Sequence, residues 1–300
     1  MIVYNSNILI MIRNKKSKSN KSSKLGLIGV GFVGGVIKKY FESQGRQVFL
    51  YDKGKHLGSP EQVNKADIVF IATPTPFHPN KGFDISAVED AIKLLDRSKI
   101  VVIKSSMVPG TTESLQKKYP QHKILVCPEF LREAQAYNDF VRPDKQIIGY
   151  TKKSKNIAKK ILSLLPQAPY KKIMPAREAE MVKYMANIFL ALKVTFANEI
   201  YELCQKLKIN YNQVREAVSK DPRIGSSHLE VLHGGYRGYG GSCFPKDINA
   251  LIELADKEKV NLKLLKSMRE ANRKLLKECG LSEDYFLLNE HKAYARKKRR

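Results

Sequence analysis

Three hundred residues at 43% hydrophobic content can bury one large core or two ordinary ones, which excludes both a wholly disordered chain and a disulfide-stapled miniprotein. The charge is lopsided, 54 Lys and Arg against 29 Asp and Glu for a net of +25, yet six cations without an acid fall in residues 1–24 and six more in 291–300. Half of the excess thus belongs to two short tails, and lysine outnumbers arginine 40 to 14, so solvated tails account for the charge without nucleic acid. Cys127, Cys204, Cys243 and Cys279 form no CxxC pair or Cys/His cluster, so no metal site is expected and the thiols read as those of a reduced, cytoplasmic chain.

The apolar stretch at 1–12 is short, interrupted by Asn and Ser, and followed rather than preceded by cations. Residues 1–24 therefore read as a basic mobile tail, with Met11 an alternative start and with no export signal or membrane span expected. Leu25–Ile28 is a buried strand, followed by GVGFVGG (29–35) and a helical pattern through Val36, Ile37, Tyr40 and Phe41. Strands follow at Gln47–Tyr51, Ala66–Thr73, Lys99–Lys104, Lys123–Cys127 and Gln146–Tyr150, with helices at Ala87–Leu95 and Lys155–Leu165. Strands alternating with helices predict a parallel, Rossmann-like α/β sheet domain over 25–175. From Pro175 the strand signal ends. Met181, Tyr184, Met185, Ile188, Phe189, Leu192 and Phe196 recur at helical spacing, predicting one long helix over 176–208. Shorter helices at 212–219, 246–257 and 262–278 complete an all-α domain over 176–279, before a basic tail at 280–300.

Gly29-x-Gly31-x-x-Gly34 sits between a strand and a helix, with Asp52 ending the next strand 18 residues after Gly34. Gly29 permits the turn, Gly31 lets backbone approach a pyrophosphate, and Gly34 lets helix and strand pack closely. The Asp52 carboxylate suits ribose hydroxyls and repels a 2′-phosphate, favouring NAD over NADP, a preference slightly weakened by Lys53. The Thr73–Pro76 loop follows the third strand, where such loops face the cofactor.

Cys243 stands in GYGGSCFPKD (238–247), where Pro245 marks the first turn of a helix. A thiol at a helix start near Lys246 is expected to ionise readily, making it a candidate nucleophile. Cys127, Cys204 and Cys279 lack such surroundings. Glu180, Lys183 and Asn187 share a helix face, and Glu129 and Glu133 flank an apolar pair. Spacing alone favours a solvated stripe for both sets.

In order along the chain, GVGFVG (29–34), KSSMVPGTT (104–112), CPEFLREAQAYNDFVRPDKQIIG (127–149), EAEMVKYMANIFLALKVTFANE (178–199), DPRIG (221–225) and GYGGSCFPKD (238–247) resemble the UDP-glucose/GDP-mannose dehydrogenase family. The resemblance implies an NAD-dependent oxidation of a sugar C6 alcohol to a carboxylate, using two NAD. It implies Cys243 as the nucleophile that carries a thiohemiacetal and then a thioester. Lys183 and Asn187 would stabilise the oxyanion. Asp247 would hold water or share base duty with Lys183, and Glu129 would assist hydrolysis. The cofactor set becomes Gly29, Gly31, Val33, Gly34, Asp52, Lys53, Thr75, Ser106, Glu133 and Lys246. The sugar-nucleotide set becomes Phe130, Leu131, Lys183, Asn187, Arg223, Tyr239 and Gly240.

PEFLRE resembles the UDP-glucose and GDP-mannose branches more than the N-acetyl-sugar branches, so UDP-glucose is the expected substrate and GDP-mannose the alternative. A homodimer through the helical domain is also implied. The family usually has Thr at Ser106 and Asn or Ser at Cys127, and its full-length members carry a third domain where this chain reaches its basic end. A non-catalytic NAD-binding remnant is therefore the competing reading.

Overall fold

A computed structural model describes residues 23–288. The tails expected at 1–24 and 280–300 lie outside the described residues, apart from 23–24 and 280–288.

The chain builds β1 (Leu25–Ile28), α1 (Phe32–Ser43), β2 (Val48–Asp52), β3 (Leu57–Gly58) and β4 (Ile68–Ile71). It continues with α2 (Ser86–Lys93), β5 (Ile100–Ile103), α3 (Thr111–Lys118), β6 (Lys123–Val126) and β7 (Lys145–Tyr150). Then come α4 (Ala158–Leu164) and β8 (Tyr170–Pro175). The eight strands form one sheet in the order β8-β7-β6-β5-β4-β1-β2-β3.

The strands read as unbroken apolar runs because both faces of the sheet are covered. Val69, Ile71, Val101 and Ile103 face α2, α3 and Ala176, while Leu25, Leu27, Phe70 and Val102 face α1 and α4. Strands β2, β1, β4, β5 and β6 are mutually parallel, and strand order reverses around β1, which opens a crevice at their carboxyl ends.

The parallel sheet expected from the sequence forms, with antiparallel pairs toward its two edges, β3 against β2 and β7 against β6. β8 runs parallel to β7. The connector from Cys127 to Asp144 never crosses to the other end of the sheet. It folds into a short helix, Ala136–Val141, whose Phe140 joins Ile37 and Phe41 in the core under α1. A strand that starts where its neighbour ended must run back the other way. β8 itself was not expected. It is an edge strand carrying exposed Lys171 and Lys172, a charged edge that discourages further pairing and hides the strand pattern.

The helical part consists of α5 (Ala176–Lys206), an intervening helix at Tyr211–Ser219, α6 (Phe244–Lys257) and α7 (Lys263–Glu278). Its core joins Tyr184, Ile188 and Ala191 of α5 to Ile248 and Ile252 of α6 and Met268 of α7. Phe77, from a small hairpin after β4, enters the same core and ties α6 to the sheet domain. A further helix at Glu283–Leu288 buries Phe286 and Leu287, so packed structure continues past Cys279. No helix among the described residues is long and apolar enough to cross a membrane.

Candidate active site

The glycine loop behaves as its spacing predicts. Gly29 has φ +86, and a Cβ there would lie 2.7 Å from the Ala72 carbonyl oxygen. A Cβ on Gly34 would sit 1.9 Å from the Gly29 oxygen, so α1 packs directly on the turn. Gly31 is exposed, and nothing lies within 4 Å of where its Cβ would be. The start of α1 has no side-chain cap and no acid in its first turn, which leaves backbone N–H groups available for an anion.

Asp52 Oδ2 accepts the Val30 N–H at 2.6 Å and Oδ1 accepts the Lys55 N–H at 3.0 Å, while Lys55 Nζ donates to the Val30 carbonyl at 2.5 Å. Lys55 is thus the lysine that braces the loop. Lys53 and Val33 lie beside it, Val33 packed against the α1 core. Thr75 is buried and donates to the Ser106 carbonyl at 2.7 Å, lacing together the loops after β4 and β5. The Thr73 hydroxyl beside it is buried and has no partner. An uncapped helix start, an open Gly31 and an orphan hydroxyl at one sheet edge fit a dinucleotide.

The thiol lies at the start of α6. Cys243 is the N-cap residue and is exposed, with Ser242 Oγ 3.7 Å from its sulfur. One turn on, Asp247 is fully buried and accepts Lys246 Nζ and Asn187 Nδ2, each at 2.6 Å. Lys246, expected beside the thiol and the cofactor, gives its ammonium to Asp247 and has Phe83 of the β4 hairpin 5.9 Å away. The first turn of α6 therefore sits against the loops at the carboxyl edge of the sheet.

Asn187 and Lys183 come from adjacent turns of α5, and both are buried. The solvated stripe that spacing favours on α5 is wrong. Glu180 is 2% exposed, whereas Met185 is 71% and Phe189 60% exposed, so the polar stripe turns inward beside Tyr184 and Ile188 while a second apolar strip faces outward. Glu180 Oε1 accepts the Thr112 N–H and hydroxyl at 2.8 and 2.6 Å, and Oε2 accepts the Gly110 N–H at 2.6 Å, which caps α3 from across the molecule. Burial, opposed by those hydrogen bonds, pushes the Glu180 carboxyl up to about 7.

The 127–133 segment leaves β6 at the same edge. Glu129 is nearly buried, against the solvated expectation, and pairs with Lys104 at 3.1 Å, whereas Glu133 is exposed. Lys183 Nζ lies 5.6 Å from the Phe130 ring centroid and Lys145 Nζ lies 4.4 Å from it, joining this loop to α5. Leu131 turns to the other side and packs with the α1 core.

Arg223 is not drawn in. Its side chain is 87% exposed and paired with Asp221 of its own loop. Tyr239 is buried in the helical core, and a Cβ on Gly240 would lie 2.5 Å from both Phe286 and the Tyr236 hydroxyl. Sequence patterns missed Asn272, which holds the Tyr239 backbone from both sides: Oδ1 accepts its N–H at 2.7 Å and Nδ2 donates to its carbonyl at 3.0 Å. No local signal marks a contact spanning 33 residues.

Two surface concavities, one along the β2–β3 edge at Val48 and Leu57 and one near Asn64 and Arg97, include none of the residues around the thiol or the glycine loop. No group of three or more His, Cys, Asp or Glu that could hold a metal lies among the described residues.

Residues 57–165 match the NAD binding domain of the UDP-glucose/GDP-mannose dehydrogenase family, and residues 177–274 match that family's central domain. The first match begins after the glycine loop, whose assignment rests on its geometry. The chain is 35% identical over 217 residues to a UDP-glucose 6-dehydrogenase of Rickettsia prowazekii, covering 69% of this chain and 49% of that protein. It is also 35% identical over 220 residues to one of Bacillus subtilis, again 69% against 49%. The chain thus spans about half the length of the curated relatives it matches. A solved UDP-glucose dehydrogenase from Pyrobaculum islandicum superposes with TM-score 0.74 at 31% identity, covering 85% of this chain and 71% of that one.

Proposed function

The chain belongs to the UDP-glucose/GDP-mannose dehydrogenase family, whose NAD-binding and central domains it carries, and from that premise we propose that it oxidises the C6 alcohol of a UDP-sugar, UDP-glucose first, to the uronate. One observation carries the reading: an exposed thiol stands one helical turn from a buried Asp247–Asn187 pair, with Lys183 on the adjacent turn of α5. A merely structural α5 would not turn an ammonium, an amide and a carboxylate inward while leaving Met185 and Phe189 in water.

NAD, when bound, supplies the hydride acceptor for each of two oxidations. The glycine loop and the start of α1 would hold its pyrophosphate and Asp52 its adenosine ribose, with Thr75, Ser106 and Glu133 the candidate contacts for the remainder. Cys243 adds to the aldehyde carbon and keeps it from leaving as a hydrate. Lys183 and the second N–H of Asn187 face the oxyanion, whose charge they stabilise. Asp247 fixes the Asn187 amide through their 2.6 Å hydrogen bond, one turn along α6 from the thiol. The thioester formed after the second oxidation is opened by water, with Glu129 as proton acceptor.

The reaction is assigned to the cytoplasm, where UDP-sugars and NAD meet, and the active species is a homodimer formed through α5. NADH released per mole of limiting UDP-glucose tests the reading, with Cys243→Ala run in parallel. Two NADH per sugar, lost in the variant, is the expected result. NAD binding with no NADH from UDP-glucose would replace it with the binding-only reading, and turnover of GDP-mannose alone would change the sugar.

A further inference from the structure

Lys104 follows β5 directly and is 4% exposed. A buried ammonium is costly unless it is paired and hydrogen-bonded. Its Nζ lies 3.1 Å from Glu129 Oε2 and 3.3 Å from Cys127 Sγ, with the Phe140 ring centroid 5.8 Å away. The other carboxylate oxygen, Glu129 Oε1, accepts the Phe130 N–H at 2.7 Å. One oxygen is therefore ion-paired to Lys104, just past the neighbouring strand β5, and the other accepts from the residue's own loop, which leaves the carboxylate little freedom.

Burial works against the charge on Lys104, but Cys127 and Glu129 more than offset it and raise its pKa above the ordinary lysine value. Burial also pushes the Cys127 thiol up, with Glu129 adding to the rise and Lys104 opposing it. Cys127 thus stays a neutral, polarisable neighbour, and Glu129 answers the charge. Lys145 and Lys183 face the Phe130 ring, and among the described residues neither forms an ion pair with Glu129.

We infer that Lys104 is a positioning residue that fixes the Glu129 carboxylate for the hydrolytic half of the reaction. The inference rests on the proposed two-step oxidation. In the step concerned, a water oxygen bonds to the thioester carbon and one water proton passes to Glu129. The C–S bond breaks with its electron pair going to Cys243, which leaves as thiolate, and the sugar is released as its carboxylic acid. Lys104 touches none of the reacting atoms. It acts by holding the proton acceptor.

The test separates deacylation from oxidation. p-Nitrophenyl acetate acylates the exposed Cys243, and the slow phase after the burst reports hydrolysis of the acyl-thiol without NAD or sugar. Lys104→Met is expected to keep the burst and NAD affinity and to slow deacylation about 100-fold, the usual scale for a general base. Lys104→Arg is expected to recover most of that rate. The decisive comparison is a double-mutant cycle with Glu129→Gln. If Lys104 acts through Glu129, the Lys104→Met/Glu129→Gln double variant deacylates no more slowly than Glu129→Gln alone. The double variant buries neither charge unpaired, so it keeps the comparison open if Lys104→Met alone fails to fold. Additive losses, or an unchanged deacylation rate in Lys104→Met, overturn the inference. With UDP-glucose, Lys104→Met should release a burst of two NADH per thiol and then stall, with a sugar adduct on Cys243 in the intact mass. Absence of NADH from the wild-type protein would overturn the proposed oxidation, while the acetate cycle would still decide the role of Lys104.

Discussion

Asp247 has a donor on each carboxylate oxygen, Lys246 on one and Asn187 on the other, both at 2.6 Å and closed to solvent. The Asn187 amide plane is thereby set, and only its second N–H can serve a substrate oxygen. Asn187→Ala removes that donor and leaves half of Asp247 without a partner. We expect kcat with UDP-glucose to fall roughly 100- to 1,000-fold while KM moves only a few-fold, the pattern of a contact made in the transition state. Stability should fall by about 1–3 kcal/mol for the unpaired carboxylate oxygen, read by urea unfolding. A loss of activity under about tenfold would remove Asn187 from the oxyanion contact. The candidate site residues legible in the sequence are those whose signal is local. The glycine loop works through turn geometry within six positions, and Cys243 is marked by its own glycines and Pro245. Spacing also placed Lys183 and Asn187 on one face, but it could not say which face turns inward. Lys104 and Asn272 act across 25 and 33 residues of chain and leave no local trace.

At the level of elements, Glu180 joins the two halves of the molecule. It lies on α5 and caps α3, whose own N-cap, Gly110, has no side chain to offer. Its carboxyl is raised by burial to about 7 from an ordinary 4.5. Between those values the folded form holds a proton that the unfolded chain has lost, so stability is highest at the acid end and declines as pH rises through the window. A shift of that size corresponds to roughly 3 kcal/mol. Glu180→Gln cannot ionise and should flatten that part of the curve. Denaturant unfolding at pH 5 and pH 7.5 checks it: the wild-type protein should lose stability relative to the variant over that interval, and parallel curves would contradict the raised carboxyl. The same scale shows where the fold was readable. Strands β1, β2 and β4–β7 were expected within about two residues of their observed ends, because burial on both faces gives plain apolar runs. The direction of β7 was not readable, since it depends on where the Cys127–Asp144 connector packs. β8 was not readable because a lysine-bearing edge carries no apolar pattern.

For the whole molecule, the unresolved balance is between charge and exposed apolar surface. The net +25 disfavours nonspecific association, and yet α5 presents Met181, Met185, Phe189, Phe196 and Leu203 to water at 41–71% exposure. Isolated exposed apolar residues are ordinary, but five along one 31-residue helix mark a face awaiting cover. A second copy of the same helix offers a self-complementary apolar face under two-fold symmetry. Each side chain that becomes buried contributes about 1.5–3 kcal/mol, so this set taken from two copies can outweigh an association cost of about 4–15 kcal/mol. Met185→Glu with Phe189→Glu places like charges against each other across such an axis without touching the inward residues Lys183, Tyr184, Asn187 and Ile188. Sedimentation velocity should show the wild-type chain at twice 34.1 kDa and the double variant at 34.1 kDa, with helical content unchanged. Activity should fall with the dimer if α5 must be held rigid to keep Lys183 and Asn187 in place. A wild-type chain that sediments as a monomer at tens of micromolar would show instead that the face is covered by something other than its own copy.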